Sequence, residues 1–129
     1  MAERKTGPGA DLGITIEPNP NRVVVRVGGQ TVADSTRALV MRASGTAAVQ
    51  YIPRADVDMT HLTRTSHVTH CPYKGDAAYW SIHAGGRTVE NAVWSYESPL
   101  DAMAPIAGHL AFYPDRVDAI EEHPPGRAR

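Results

Sequence analysis

Two glycine pairs, Gly28-Gly29 and Gly85-Gly86, each stand between β-branched runs, and no other pattern in the chain restricts its fold as strongly. Arg22-Val-Val-Val-Arg-Val27 and Gln30-Thr-Val-Ala-Asp-Ser35 flank the first pair; Ala77 to Ile82 and Arg87 to Tyr96 flank the second. Glycine accepts the positive φ of a primed two-residue turn, so each stretch predicts a β-hairpin. The sequence also repeats itself: Gly28-Gly-Gln-Thr-Val-Ala-Asp-Ser35 matches Gly85-Gly-Arg-Thr-Val-Glu-Asn-Ala92 at an offset of 57 residues. A duplicated supersecondary unit follows. The expected fold is mainly β, with two antiparallel sheets, each centred on one Gly-Gly hairpin and packed at an angle over one core. An approximate two-fold should relate the hairpins.

Strand periodicity assigns faces. Pairing across the first turn places Val23, Val25, Val27, Val32 and Asp34 together, with Arg22, Val24, Arg26, Thr31 and Ser35 opposite. A carboxylate among valines needs a partner, either the bend that Asp34 would cap or the Arg37 guanidinium. Across the second turn Asn91 falls with Trp80, Ile82, Val89 and Val93. The other face carries Tyr79, Ser81, His83, Glu90, Trp94 and Tyr96, aromatic bodies interleaved with polar tips, which suits the wall of a small-molecule pocket or a sheet covered by a loop.

The remaining chain reads as connections and shorter strands. Residues 1–12 and 122–129 read as flexible tails around a single β domain at 13–121. Arg37 to Met41 and Ala47 to Ile52 form another hairpin, Arg54 to Leu62 a short helix or pair of helical turns behind Asp56 and Asp58, and Pro99 to Gly108 a loop with one helical turn. His109 to Tyr113 is a last buried strand and Arg116 to Ile120 an edge strand.

Charge narrows the partners: 13 Lys and Arg against 14 Asp and Glu leave a formal net charge of −1, with the basic residues scattered. That balance gives no long-range attraction to nucleic acid or anionic lipid. No apolar run approaches the roughly 20 residues of a membrane span. The opening Met-Ala-Glu-Arg-Lys lacks the apolar run of a signal peptide, and one cysteine makes no internal disulfide, so the expected compartment is the cytosol. A monomer or homodimer with no cofactor is expected.

Chemistry concentrates in Thr69-His-Cys-Pro-Tyr-Lys-Gly-Asp-Ala-Ala-Tyr-Trp80, which holds the sole cysteine. Lys74 is the only lysine besides Lys5; every other basic residue is Arg. Cys71, Lys74 and His70 are the candidates for nucleophilic or acid/base catalysis. Asp34, Arg37, Tyr73, Lys74, Tyr79, Trp94 and Tyr96 are the candidates for binding a ligand. A single cysteine cannot supply paired Cys-x-x-Cys zinc knuckles, and although His67, His70 and Cys71 are three ligand types for an open site, the two histidines point to opposite faces of an extended strand, so no metal is expected. Cys71 before Pro72 is expected to be an inert buried thiol that helps place Tyr73 and Lys74.

Read in order, Val32-Ala-Asp-Ser35, Tyr51-Ile-Pro-Arg-Ala-Asp56, Thr69-x-Cys-Pro-Tyr-Lys-Gly75, Ala92-x-Trp-Ser-Tyr96 and Ala111-Phe-Tyr113 resemble the domain-of-unknown-function family 427 over about residues 14 to 120. The resemblance implies a small, mostly β domain, bacterial or fungal, of the β-tent kind in which two antiparallel sheets meet at an angle. It also implies a glutamate where this chain has Ala43. The nucleotidyltransferase label attached to the family finds no support in the residues: there is no Gly-Ser with a paired Asp-x-Asp to hold two metals, and no phosphate-cradling loop.

Three functional readings follow. The first is a small-ligand-binding domain in which Lys74 and Arg37 form the cationic end of an aromatic pocket and Asp34 holds one of them. The second is a small enzyme working through Cys71, Lys74 and a histidine, and the third an interaction module without a pocket.

Overall fold

Both Gly-Gly turns form, with the same φ values of 58° and 79° at their first and second residues. The computed structural model describes residues 13–43 and 45–125, so the expected tail at 1–12 and the last four residues lie outside it. β1 (Ile14–Pro18) and β2 (Arg22–Val27) run out to the first turn, and β3 (Gln30–Ser35) and β4 (Leu39–Ala43) return. β2 pairs with β3 and β1 with β4, all antiparallel. Between them the Asn19 N–H donates to the Ala38 carbonyl at 2.8 Å, so the ladder continues across a bend. Pro20 has no N–H to extend it, which is why the strand breaks there.

The bend divides the first hairpin between two three-stranded sheets. β5 (Val49–Tyr51) completes β1-β4-β5, and β10 (Ala119–His123) completes β10-β2-β3. β10 runs to His123, two residues past the expected end of the domain, because Glu122 accepts hydrogen bonds from the side chains of Asn19 and Asn21. The second hairpin lies in a separate antiparallel sheet of four strands in chain order: β6 (Leu62–Cys71), β7 (Gly75–Ala84), β8 (Arg87–Ser95) and β9 (Ala111–Phe112). The architecture is thus mainly β, as expected. The short helical stretches are 3₁₀ turns at Arg54–Asp56, Met59–His61 and Asp101–Ile106.

β7 is buried on both faces, and its alternation separates two cores. Ala78, Trp80, Ile82 and Ala84 join Val23, Val25, Val27 and Val32 of the β2–β3 hairpin. Ala77 and Tyr79, on the other face, join Met41 and Tyr51 of β4 and β5 together with Met103 and Ile106. What was open in the sequence, a pocket or a covered face, resolves as a face covered by the β1-β4-β5 sheet with a cavity left beneath it.

β-bulges overturn the expected side-chain directions of Asp34, Ser35 and Asn91. Arg26 pairs with Thr31 but Val25 with Ala33, so Val32 is an extra residue. A one-residue slip reverses every side chain beyond it. Asp34 therefore sits opposite Val24, on the exterior, where its carboxylate takes two hydrogen bonds from Arg22 at 2.8 and 2.6 Å. In the second hairpin residues 90–92 stand opposite Ser81 alone, and Asn91, at φ 49°, is the left-handed residue of that bulge. Its N–H donates to Ser81 Oγ and its side-chain oxygen accepts from Thr65.

The two turns touch. A Cβ on Gly85 would lie 2.8 Å from Gly28 Cα, so the two turns pack backbone against backbone. Asp118 clasps the pair: one oxygen accepts the Gly28 N–H at 2.7 Å and the other pairs with Arg87. Because both partners of that ion pair are half-exposed, Asp118→Ala should cost about 1 kcal/mol. Denaturant titration at low and high salt checks it, and the cost should shrink as salt rises.

Candidate functional site

The Cys71–Lys74 turn is fixed by its own backbone. The Lys74 N–H donates to the Cys71 carbonyl at 3.2 Å, and the Lys74 carbonyl accepts from Leu100 N–H at 2.9 Å. Gly75, at φ 113°, turns the chain straight into β7. This clamp leaves Tyr73 outside, 53% exposed, and aims Lys74 into the space between β7–β8 and the β4–β5 hairpin.

That space is a cavity of about 220 Å³. Its polar wall is Lys74 with Tyr51, Tyr79, Tyr96, Tyr113 and the indole of Trp94. Met41, Val49, Ala43 and Ala47 supply the apolar wall. Trp94 packs on Tyr113, ring centroids 4.4 Å apart, and meets Tyr51 edge-on at 6.3 Å. Its Nε1–H donates to the Tyr51 hydroxyl at 3.2 Å. The Tyr79 hydroxyl lies 2.9 Å from Thr69 Oγ1 and 3.4 Å from the Tyr113 hydroxyl. Tyr96 has no side-chain hydrogen bond to another described residue.

Burial dominates the electrostatics of Tyr51, Tyr96 and Tyr113. It pushes Tyr51 and Tyr113 up to about 12, and Tyr96 upward as well. Desolvation penalises the phenolate, so at neutral pH the hydroxyls of Tyr51, Tyr96 and Tyr113 keep their protons and can donate them. Lys74 is the cation of the wall, and no acidic side chain among the described residues lines the cavity. Its Nζ lies 3.9 Å from Cys71 Sγ, and Cys71 is half-buried against the same aromatic cluster.

Four of the expected ligand residues, Lys74, Tyr79, Trp94 and Tyr96, thus converge. The other three do not. Asp34 is on the exterior with Arg22, and Tyr73 faces solvent. Arg37 pairs with Asp56 at 3.1 Å, and Asp56 also accepts from Ser35 Oγ at 2.6 Å. Burial opposes the ionised Asp56, yet the Arg37 and Ser35 hydrogen bonds win and hold its pKa below the usual range. So the cavity wall holds Lys74 without Arg37 or Asp34.

His70 is also elsewhere. Its Nδ1 lies 2.7 Å from Asp76 on the exposed edge of the four-stranded sheet, and His67 packs 4.5 Å from Tyr79 within a β6 bulge. No metal-holding cluster occurs among the described residues. Tyr51 and Tyr113 are the wall residues that the hairpin pattern did not single out. Each stands in a motif that carries the family resemblance, and that was the available signal.

A larger concavity of about 370 Å³ lies along β6, between Arg64, Val68, His70 and the Glu97–Leu100 segment. It is a surface groove in which Arg64 is already paired with Glu97 at 3.2 Å and His70 with Asp76. With its charges internally matched it is a weaker candidate than the tyrosine cavity, whose lysine has no carboxylate beside it in the wall. No curated protein matches the chain. Residues 15–123 match the model of a family described as a domain of unknown function, DUF427, and the chain belongs to that family.

Proposed function

We propose that this domain binds a small anionic molecule in the tyrosine cavity, with Lys74 as its counter-ion. The reading rests on one observation, a single lysine among four phenols and an indole with no carboxylate in the described wall. The half-buried Lys74 ammonium has no carboxylate in the described wall to balance it, and an anionic ligand supplies that charge together with charge-assisted hydrogen bonds. The volume bears on the class of ligand: at about 220 Å³ the site falls below the roughly 300–1,000 Å³ of pockets for drug-sized molecules. A nucleotide is too large.

Lys74→Met tests the proposal, since the methionine keeps most of the stem and removes the charge. Acetate, inorganic phosphate and benzoate, screened at millimolar concentration, should between them include at least one anion that raises the wild-type melting temperature. A ligand at 100 times its Kd stabilises by about 2.7 kcal/mol, which in a domain of this size is roughly 10 °C. The same anion should shift Lys74→Met by less than a third as much. Equal shifts in both proteins, or none in either, would overturn the reading.

The approach of Lys74 Nζ to Cys71 Sγ favours the enzyme as the second reading. A nucleophilic thiolate needs access as well as a nearby cation. Cys71 is held between the turn and the aromatic cluster, so a thiol reagent should label it at least tenfold more slowly in the native protein than in denaturant. Labelling at the unfolded rate would favour the enzyme.

A further inference from the structure

We infer that the ligand is a single-ring aromatic monocarboxylate, bound with its carboxylate at Lys74 and its ring among Trp94, Tyr51 and Tyr113. This rests on the anion-binding reading above and adds the ligand's charge, its recognising donors and its shape.

Charge comes from the count of cations. Among the described residues the wall holds one lysine and no arginine. Phosphate esters carry nearly two charges at neutral pH and are usually met by several cations or a guanidinium fork. One ammonium balances one carboxylate.

The donors fit that group. A carboxylate offers about four lone-pair sites on two oxygens. Lys74 supplies an ammonium donor, and Tyr96, with no side-chain partner among the described residues, supplies an uncommitted hydroxyl proton. The Tyr51 hydroxyl accepts from Trp94 Nε1, so its own proton is also available. Three donors from one wall can satisfy the carboxylate, and burial keeps both phenols in the donating form.

Shape comes from the rest of the wall. Trp94 with its tilted neighbour Tyr113 and edge-on neighbour Tyr51 presents flat π surface, which favours a ring in offset or edge-to-face contact. Met41 and Val49 close the apolar side. The cavity, at about 220 Å³, is small for a ligand site. One ring bearing a carboxylate fits that space; a base, sugar and phosphate do not.

Calorimetric titration at neutral pH with benzoate, benzamide, acetate, phenyl phosphate and adenosine monophosphate tests the class. Benzoate should bind at least tenfold more tightly than acetate, which lacks the ring, and than benzamide, which lacks the charge. Lys74→Met should lose at least tenfold in benzoate affinity and Tyr96→Phe about fivefold, with circular dichroism confirming that each variant is folded. Should Lys74→Met not fold, Lys74→Gln and Tyr96→Phe carry the test. Tighter binding of phenyl phosphate or of adenosine monophosphate would sink the monocarboxylate class, and tighter binding of acetate the aromatic ring, each while leaving a Lys74-dependent anion site. Equal binding of benzamide and benzoate, or no binding of any probe, would overturn both.

Discussion

Replacing Gly85 by alanine should lower the melting temperature by more than about 12 °C, whereas the same change one residue later, at Gly86, should lower it by only about 5 °C. Both glycines have positive φ, 58° and 79°, so each alanine meets the left-handed penalty of roughly 1–2 kcal/mol. They differ in what a Cβ would meet. At Gly85 it would lie 2.6 Å from the carbonyl carbon of Gly28 and 2.8 Å from its Cα, both backbone atoms of the opposing turn. At Gly86 nothing lies within 4 Å. Backbone cannot swing aside as a side-chain end can, so Gly85→Ala must push the hairpins apart and should lose about 3 kcal/mol or more in total. At roughly 4–8 °C per kcal/mol for a domain near 100 residues, the two variants separate well beyond measurement error. Asparagine, which tolerates left-handed backbone, should be nearly neutral at Gly86 and as damaging as alanine at Gly85. Equal effects at the two positions would mean that the turns do not bear on each other.

That contact lies at the centre of what the sequence made legible. The Gly-Gly pairs and the β-branched runs around them specify two hairpins locally, and the period of two assigns the residues next to each turn correctly: Val25 and Val27 inward, Arg26 outward. The assignment fails beyond Val32. A bulge adds one residue without any glycine or proline to announce it, and Asp34 is carried to the other face. The expected clamp of Asp34 with Arg37 and Lys74 fails at two of its members, Asp34 carried outside by the bulge and Arg37 taken by Asp56. Lys74 survives because its direction is set by a four-residue turn and a glycine, which are local. Tyr79, Trp94 and Tyr96 survive because they lie on one face of adjacent strands on the pocket side of the bulge. Tyr51 ends β5 and Tyr113 follows β9, and the positions of these two strands are settled by long-range contacts, such as the Ile52–Leu110 bridge, which hairpin patterning does not determine.

Raising the pH should unfold this protein earlier than its lysine content would suggest, and the loss should fall between about pH 10 and pH 12. An ordinary tyrosine ionises near 10, but burial holds Tyr51 and Tyr113 up to about 12 in the folded state and raises Tyr96 too. Above pH 10 the unfolded chain therefore releases phenolic protons that the native state retains. It binds fewer protons than the native state, so stability falls as pH rises, and the contribution is fully present only below 10. For Tyr51, which is 1% exposed, a displacement of about two pH units corresponds to roughly 2.7 kcal/mol by pH 12. Lysine titration adds little to this, because Lys5 and Lys74 are the only lysines in the chain. Urea midpoints at pH 8, 10 and 11.5 measure the slope directly. Tyr51→Phe should be less stable than wild type at pH 8, since the Trp94 indole N–H loses its acceptor, at a cost of about 1 kcal/mol or more. Its alkaline decline should be shallower, so the two curves converge or cross near pH 12. A wild-type midpoint that is flat from pH 8 to 11.5, or a Tyr51→Phe curve parallel to it, would show that the phenol is not held protonated by burial, and the donors assigned to the anion site would lose their physical basis.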